Sequence, residues 1–443
     1  MNRLCVVALV VLVTIGLSIA GGVAAVAQPK AATSTKPAAT DIGVTPTTIR
    51  IAVVADVDNP FAPGLFQGSV DAVNGAAKAI NAQGGIGGRK VVVDFIDSKL
   101  SPNDSRNAII TACQNDFALV GTATTELSDL SDIDNCKNSA GQPVGIPNLA
   151  FVAFPPLACD KDTYLPGGYG PYCATAGDHP QSYSAPVGDF RYYASKFPDL
   201  HGIYLFDGDV QTARIEKLPV IQGAVNLGIK KDGQGVYTPS ALSPQSALTP
   251  YLQVMKQNGS TFSYGGATPS QTVLIRREAK LQGVNSVKVW ACDTGCYDSS
   301  FIAQGGADAE GEYASTNFLP FYTDSQANPQ LKALVSSMGG VNNISGPALD
   351  SYVMALLFQD AVVKATANGG TLDRQALFAA LNKETAFNAD GIIGTTNIAA
   401  HEISPCDVIS QVVNGQWKRV YPTTPGTFDC NPANIANLKL NVS

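Results

Sequence analysis

Short apolar, β-branched runs alternate along this chain with segments whose apolar positions recur at helical spacing. Residues 48–55 (TIRIAVVA) predict a buried strand, followed by a loop at 56–60. Val73, Ala76, Ala77 and Ile80 place one face on a helix over 68–83, which the glycines at 84–88 end. A strand over 89–96, a helix over 102–115, and strands over 118–120 and 146–154 continue the series. Strand–helix alternation at this spacing predicts a parallel sheet with right-handed crossovers.

A looser stretch rich in Pro, Gly and Tyr spans 155–180, and the alternation then restarts. Helices are expected over 189–197, 214–227, 248–258 and 271–282, and strands over 201–206, 235–238, 262–264 and 287–291. The second half thus repeats the layout of the first, and two α/β lobes with a cleft between them are the plainest arrangement. Helices over 348–367 and 372–382 follow, then strands over 392–398 and 406–420, the latter folded at Asn414-Gly415.

The first residues change the picture from a plain cytosolic α/β protein. Arg3, an apolar run over 6–19 and Ala25-Val26-Ala27 read as an export signal over 1–27, with an uncleaved anchor as the alternative. Residues 28–42 read as a disordered polar tether. Apart from Cys5, eight cysteines remain, an even number suited to disulfides in an exported chain. Near-neighbour pairing would join Cys113 to Cys136, Cys159 to Cys173, Cys292 to Cys296 and Cys406 to Cys430, although spacing does not fix connectivity. Zinc ligand spacing is absent, and His179, His201 and His401 are too few for a His-rich metal site, so neither metal nor cofactor is expected. A net charge of −7 without a basic cluster disfavours nucleic acid as a partner.

The catalytic motifs are near misses. Gly84–Gly88 follows a helix and precedes a strand, the reverse of a dinucleotide loop. His401-Glu402 lacks a second His, and Pro405 would break the helix a zinc protease needs. Thr261–Gly265 has Thr where a nucleophile elbow around Ser263 needs Gly, which leaves a secreted hydrolase as a remote reading.

Four stretches together resemble the type I periplasmic binding proteins of the branched-chain amino acid (leucine/isoleucine/valine-binding) family. They are IRIAVVADV with the block at 66–93 that contains INAQGGIGGRK, FIDS with SPND at 95–104, VGTATT at 120–125, and 287–301 through EGEY at 310–313. The resemblance covers nearly all of the chain from about Asp41. It implies two Rossmann-like α/β lobes with parallel sheets, joined by three crossovers near 155–183, 317–321 and 392–404. Lobe 1 would be 43–160 plus 322–392, and lobe 2 161–321 plus 393–443. It also implies a monomeric, non-enzymatic, exported protein of the periplasm or cell envelope that hands a small-molecule solute to an ABC transporter permease. A sensor subunit that passes closure to a receptor is the alternative.

Open α/β sheets bind ligands beyond the carboxyl ends of their strands, which selects the candidate contacts. In the first lobe these are Asp58 and Phe61, which are also ordinary turn neighbours, and Thr122, Thr124 and Thr125. The resemblance implies small hydroxyl residues at 124–125 holding a carboxylate; a cap for a helix over 126–130 is the competing role. Where family members carry a hydroxyl after the fourth strand this chain has Phe151 and Phe154, which favour an apolar or aromatic solute body or else pack in the core. In the second lobe the candidates are Asp207, Asp209, Tyr264, Asp293, Tyr297 and Asn317, with a carboxylate near 207–209 suited to a ligand ammonium.

Overall fold

A computed structural model describes residues 38–440 except residues 61, 128, 153–156, 167–171, 174–181, 207, 210–212, 241 and 266–267. The expected export signal and most of the tether therefore lie outside the described residues, as do Phe61, Phe154, Asp207 and the side chains of Cys159 and Cys173.

The first half builds β1 (Thr48–Ala55), α1 (Gln67–Ala82), β2 (Lys90–Asp97), α2 (Pro102–Asn115), β3 (Ala118–Ala123), α3 (Ser131–Asp134), β4 (Asn148–Val152) and β5 (Thr163–Tyr164). The strands form a parallel sheet in the order β2-β1-β3-β4-β5. The apolar run of β1 is buried on both faces because helices cover both. α1 turns Val70, Val73, Ala76, Ala77 and Ile80 to the sheet and ends in the glycine turn, where Ile86 and Arg89 form an antiparallel bridge. A Cβ on Gly85, at φ 79°, would sit 2.0 Å from the Arg89 carbonyl, so that turn needs glycine. α2 begins at Ser101, whose Oγ accepts the Asp104 N–H, with Pro102 at its first position.

Between the halves run β6 (Tyr172–Cys173) and β7 (Ser182–Pro186). The second half then builds α4 (Gly188–Lys196), β8 (His201–Leu205), α5 (Ala213–Asn226), β9 (Lys230–Tyr237), α6 (Thr249–Asn258), β10 (Phe262–Gly265), α7 (Pro269–Gln282), β11 (Val289–Cys292), α8 (Ser299–Gly305) and β12 (Glu312–Thr316). After β12 come α9 (Phe321–Asp324), α10 (Pro329–Ser337), α11 (Gly346–Ala365) and α12 (Arg374–Leu381), then β13 (Val408–Val412), β14 (Trp417–Tyr421) and β15 (Ile435–Lys439). The second sheet has the order β14-β13-β12-β11-β10-β8-β9, parallel from β9 to β12 with an antiparallel hairpin on its edge. β15 pairs with β7, and β7 with β6, in a small antiparallel sheet beside the first crossover.

α11 returns to the first half and packs on α1, β3 and β4. One apolar cluster runs from Ile51 and Phe66 through Leu349 and Phe358 to Tyr297, Phe301 and Trp417, so the core is continuous across the hinge. The loop after β11 also reaches α11: a Cβ on Gly346 would lie 2.3 Å from Thr294 Cγ2 and 2.7 Å from the Thr294 carbonyl oxygen.

Several elements differ from expectation. Residues 392–398 form no strand but two turns, with single bridges from Ile393 to Phe318 and from Thr396 to Phe387. β13, and not this segment, pairs with β12. No helix follows Thr125 until α3, and α9, α10 and β15 had no clear apolar period to announce them. The fold already takes in the last residues of the expected tether: Thr40 donates to the Leu372 carbonyl, and Asp41 accepts the Arg374 N–H at 2.9 Å.

Three of the four expected disulfides are described: Cys113–Cys136, Cys292–Cys296 and Cys406–Cys430. The first lies against Arg374, which is fully buried and donates to the carbonyls of Phe117, Lys137, Cys113 and Asp116 at 2.6–3.2 Å. Among the described residues no helix is long and apolar enough to cross a membrane.

Candidate ligand-binding site

The carboxyl ends of β1, β2 and β3 are bound into one unit by Asp56, which sequence reasoning had left as part of a turn. Its buried carboxylate accepts from Ser98 Oγ (2.6 Å), Leu100 N–H (2.9 Å), and the N–H and Oγ1 of Thr125 (both 3.0 Å). Burial raises its pKa, and these hydrogen bonds oppose the rise by favouring the ionised form. Asp97 ties the neighbouring loop, accepting the N–H groups of Val57 (3.1 Å) and of the exposed Asp58 (3.0 Å).

The other first-lobe candidates also have partners inside the lobe. Thr122 Oγ1 donates to Asn148 Oδ1 at 2.7 Å, and Asn148 in turn donates to Thr163 Oγ1 at 3.0 Å. Thr124 Oγ1 pairs with Ser105 Oγ at 2.8 Å, and both residues are buried. Phe151 is buried with its ring edge-on to Phe66, 5.8 Å between centroids.

In the second lobe Asp209 is exposed and accepts from Ser240 Oγ at 2.5 Å. Tyr297 lies wholly in the core, among Phe318, Phe321, Tyr322 and Trp417. Asp293 follows β11 and pairs with Lys217 of α5 at 2.8 Å; Lys217 also pairs with Glu216. Burial pushes the Lys217 ammonium down, and Asp293 and Glu216 more than offset that, so it stays charged. Tyr264 and Asn317 come together at a pocket that is partly open to solvent.

That pocket sits where the three crossovers meet the second sheet. Leu165 and Pro166 belong to the first crossover, Asn317 to the second just after Ser315 of β12, and Ile403 and Ser404 to the third, which runs on through Asp407 into β13. Phe190, Val220 and Tyr264 supply apolar and aromatic wall. Three carboxyl groups reach it: Asp189 at the start of α4, Glu216 on α5 and Asp407 just before β13. Burial pushes Asp189 well above the ordinary carboxylate range, with Asp407 adding to the rise. Burial likewise pushes Asp407 up to about 7, although Ser315 Oγ donates to it at 2.7 Å. None of the three was a candidate from sequence. The signal available was a charge inside an apolar neighbourhood (VGDF, CDV), which looks the same as a helix start or a strand edge. Among the described residues no group of His, Cys, Asp or Glu is placed to hold a metal ion.

Residues 48–416 match the family model described as periplasmic binding protein. The chain belongs to that family. Solved periplasmic binding proteins of the same fold include a fatty acid ABC transporter substrate-binding protein from Thermomonospora curvata, 18% identical, covering 87% of this chain and 97% of that one, with a TM-score of 0.66. A leucine-binding protein from Thermotoga maritima is 17% identical over 84% of this chain and 98% of its own, with a TM-score of 0.62. The branched-chain amino acid transporter substrate-binding protein LivJ from Streptococcus pneumoniae, in complex with isoleucine, is 17% identical over 85% and 100%, with a TM-score of 0.63. Comparison with curated proteins finds no match. The resemblance read from the sequence and its two-lobed α/β fold are thus those of the periplasmic binding proteins.

Proposed function

We propose that this periplasmic binding protein captures a small organic solute, an amino acid or a related molecule with an apolar or aromatic body, between its lobes. It hands that solute to an ABC-type permease outside the cytoplasm and leaves it chemically unchanged. The observation that carries this reading is the pocket at the strand ends of the second sheet: residues of lobe 2 line it, and among them Leu165, Asn317 and Ile403 belong to the three crossovers, so a bound solute would bias the hinge directly. The lobes are 43–160 plus 322–392 and 161–321 plus 393–443, the export signal ends at Ala27, and the protein acts as a monomer. Of the contacts selected from sequence, Tyr264 and Asn317 face the solute, while Asp293 holds Lys217 away from the pocket lining.

Native mass spectrometry of the purified protein, followed by a thermal-shift screen of amino acids, amides, amines and aromatic or lipophilic acids, tests the reading. A true ligand at about 100 times its dissociation constant adds about 2.7 kcal/mol to stability. Absence of any carried mass and of any shift, or release of a chemically altered product, would defeat it.

A further inference from the structure

We propose that the hinge pocket receives the ammonium group of a cationic solute, with Asp189 and Asp407 as its counter-ions and Phe190, Val220 and Tyr264 around an apolar body. This rests on the binding role proposed above and names the chemical class of the ligand.

Asp189 is 6% exposed, yet its carboxylate receives one hydrogen bond from another residue, Phe190 N–H to Oδ1 at 2.8 Å. Asp407 accepts from Ser315 Oγ, a neutral donor. Among the described residues neither carboxylate joins an ion pair. The basic side chains beside them are committed elsewhere: Lys217 bridges Glu216 and Asp293, and Arg191 donates to Asn434 Oδ1. Asp293 adds negative charge near Asp189, and Asp429 adds it near Asp407. A buried charge without a partner is expensive, so such a pair is either neutralised by protons or compensated by an incoming cation.

Geometry points to the second outcome. The two carboxyls come from different segments, the first turn of α4 and the residue before β13, and line one pocket; a Cβ on Gly188 would lie 2.7 Å from Asp407 Oδ2. A side chain at 188 would thus press on the Asp407 carboxylate. The apolar wall beside them suits a hydrocarbon or aromatic body, and among the described residues that line the pocket none is basic. A cation seated here would tie the start of α4, which follows the first crossover, to the residue that ends the third, and so favour one hinge angle.

The test compares probes that share a body and differ at the head: phenethylamine and isoamylamine against 3-phenylpropionate, 4-methylpentanoate and phenethyl alcohol, by calorimetry on ligand-stripped protein. The amines are expected to bind at least tenfold more tightly than their counterparts. Asp189→Asn and Asp407→Asn are each expected to weaken amine binding at least tenfold, while the ligand-free melting temperature holds or rises. That control separates a lost contact from a lost fold, since Asn at 189 can still accept the Phe190 N–H. Carboxylates or alcohols binding as well as amines, or amine affinity within twofold of the parent in both variants, would overturn this inference and leave the binding role standing. Silence from every probe overturns it too; if the purified protein also carries no solute, the binding role falls with it.

Discussion

Asp350 illustrates how a single residue can work against the fold that contains it. It lies on α11, fully buried, and neither carboxylate oxygen has a hydrogen-bond partner. Burial alone lifts its pKa well above the ordinary 3.8. With its pKa raised in the fold, the unfolded chain releases the proton first as pH rises, so Asp350 destabilises the fold increasingly above about pH 4. Asp350→Asn, which mimics the protonated form, is expected to stabilise the protein by about 1–3 kcal/mol at pH 7. The gain should shrink toward zero near pH 4, and denaturant melts of both proteins across that range check it. A gain that does not vary with pH would show that Asp350 is ionised in the fold. From the sequence, Asp350 reads as a polar residue near a helix start. The cap is in fact Ser345, and the residues that surround position 350 are set by α11 returning to the first sheet, which no local pattern records. Asp56 and Asp189 were obscure for the same reason: their partners lie on other strands and crossovers.

At the scale of elements, the legible parts were those with a strong period. β1, α1, β2 and α2 fall within a residue or two of expectation because their apolar faces are continuous and their ends carry Gly, Pro or Ser. Residues 392–398 were misjudged and β15 went unread because pairing depends on how the sheets are laid out, a fact of topology. Covalent links were legible where neighbours in sequence are also neighbours in space. The Cys113–Cys136 bridge closes a loop of 23 residues and joins α2 to the chain after α3. In the chain-entropy view such a loop contributes about 3 kcal/mol. The double substitution to Ser is expected to lower the melting temperature, and reductant, which also opens the other bridges, is expected to lower the parent's at least as far, as measured by calorimetry with and without reductant. Arg374 adds to the expected loss, because its guanidinium is held by carbonyls on the same loop, including that of Cys113, and loosening the loop leaves buried donors unmet.

For the whole molecule, family and fold were readable from ordered motifs spread over the chain, whereas the solute was not. The residues that matched the family's motifs, such as Thr122 and Thr124, spend their hydroxyls inside the lobe, and the pocket's carboxyls lie outside every motif. Gly346 gives a handle on the molecule's motion. Its missing side chain lets the loop after β11 rest directly on α11, and the nearest atoms include backbone, which cannot swing aside. Gly346→Ala is expected to act as a doorstop: small-angle scattering should report a larger radius of gyration that added solute no longer reduces, with affinity down at least tenfold, about 1.4 kcal/mol. An unchanged radius and affinity would show that the contact gives way elsewhere. One methyl group would then yield a jammed receptor, able to meet its cargo yet never to grip it, against which every later step of delivery can be timed.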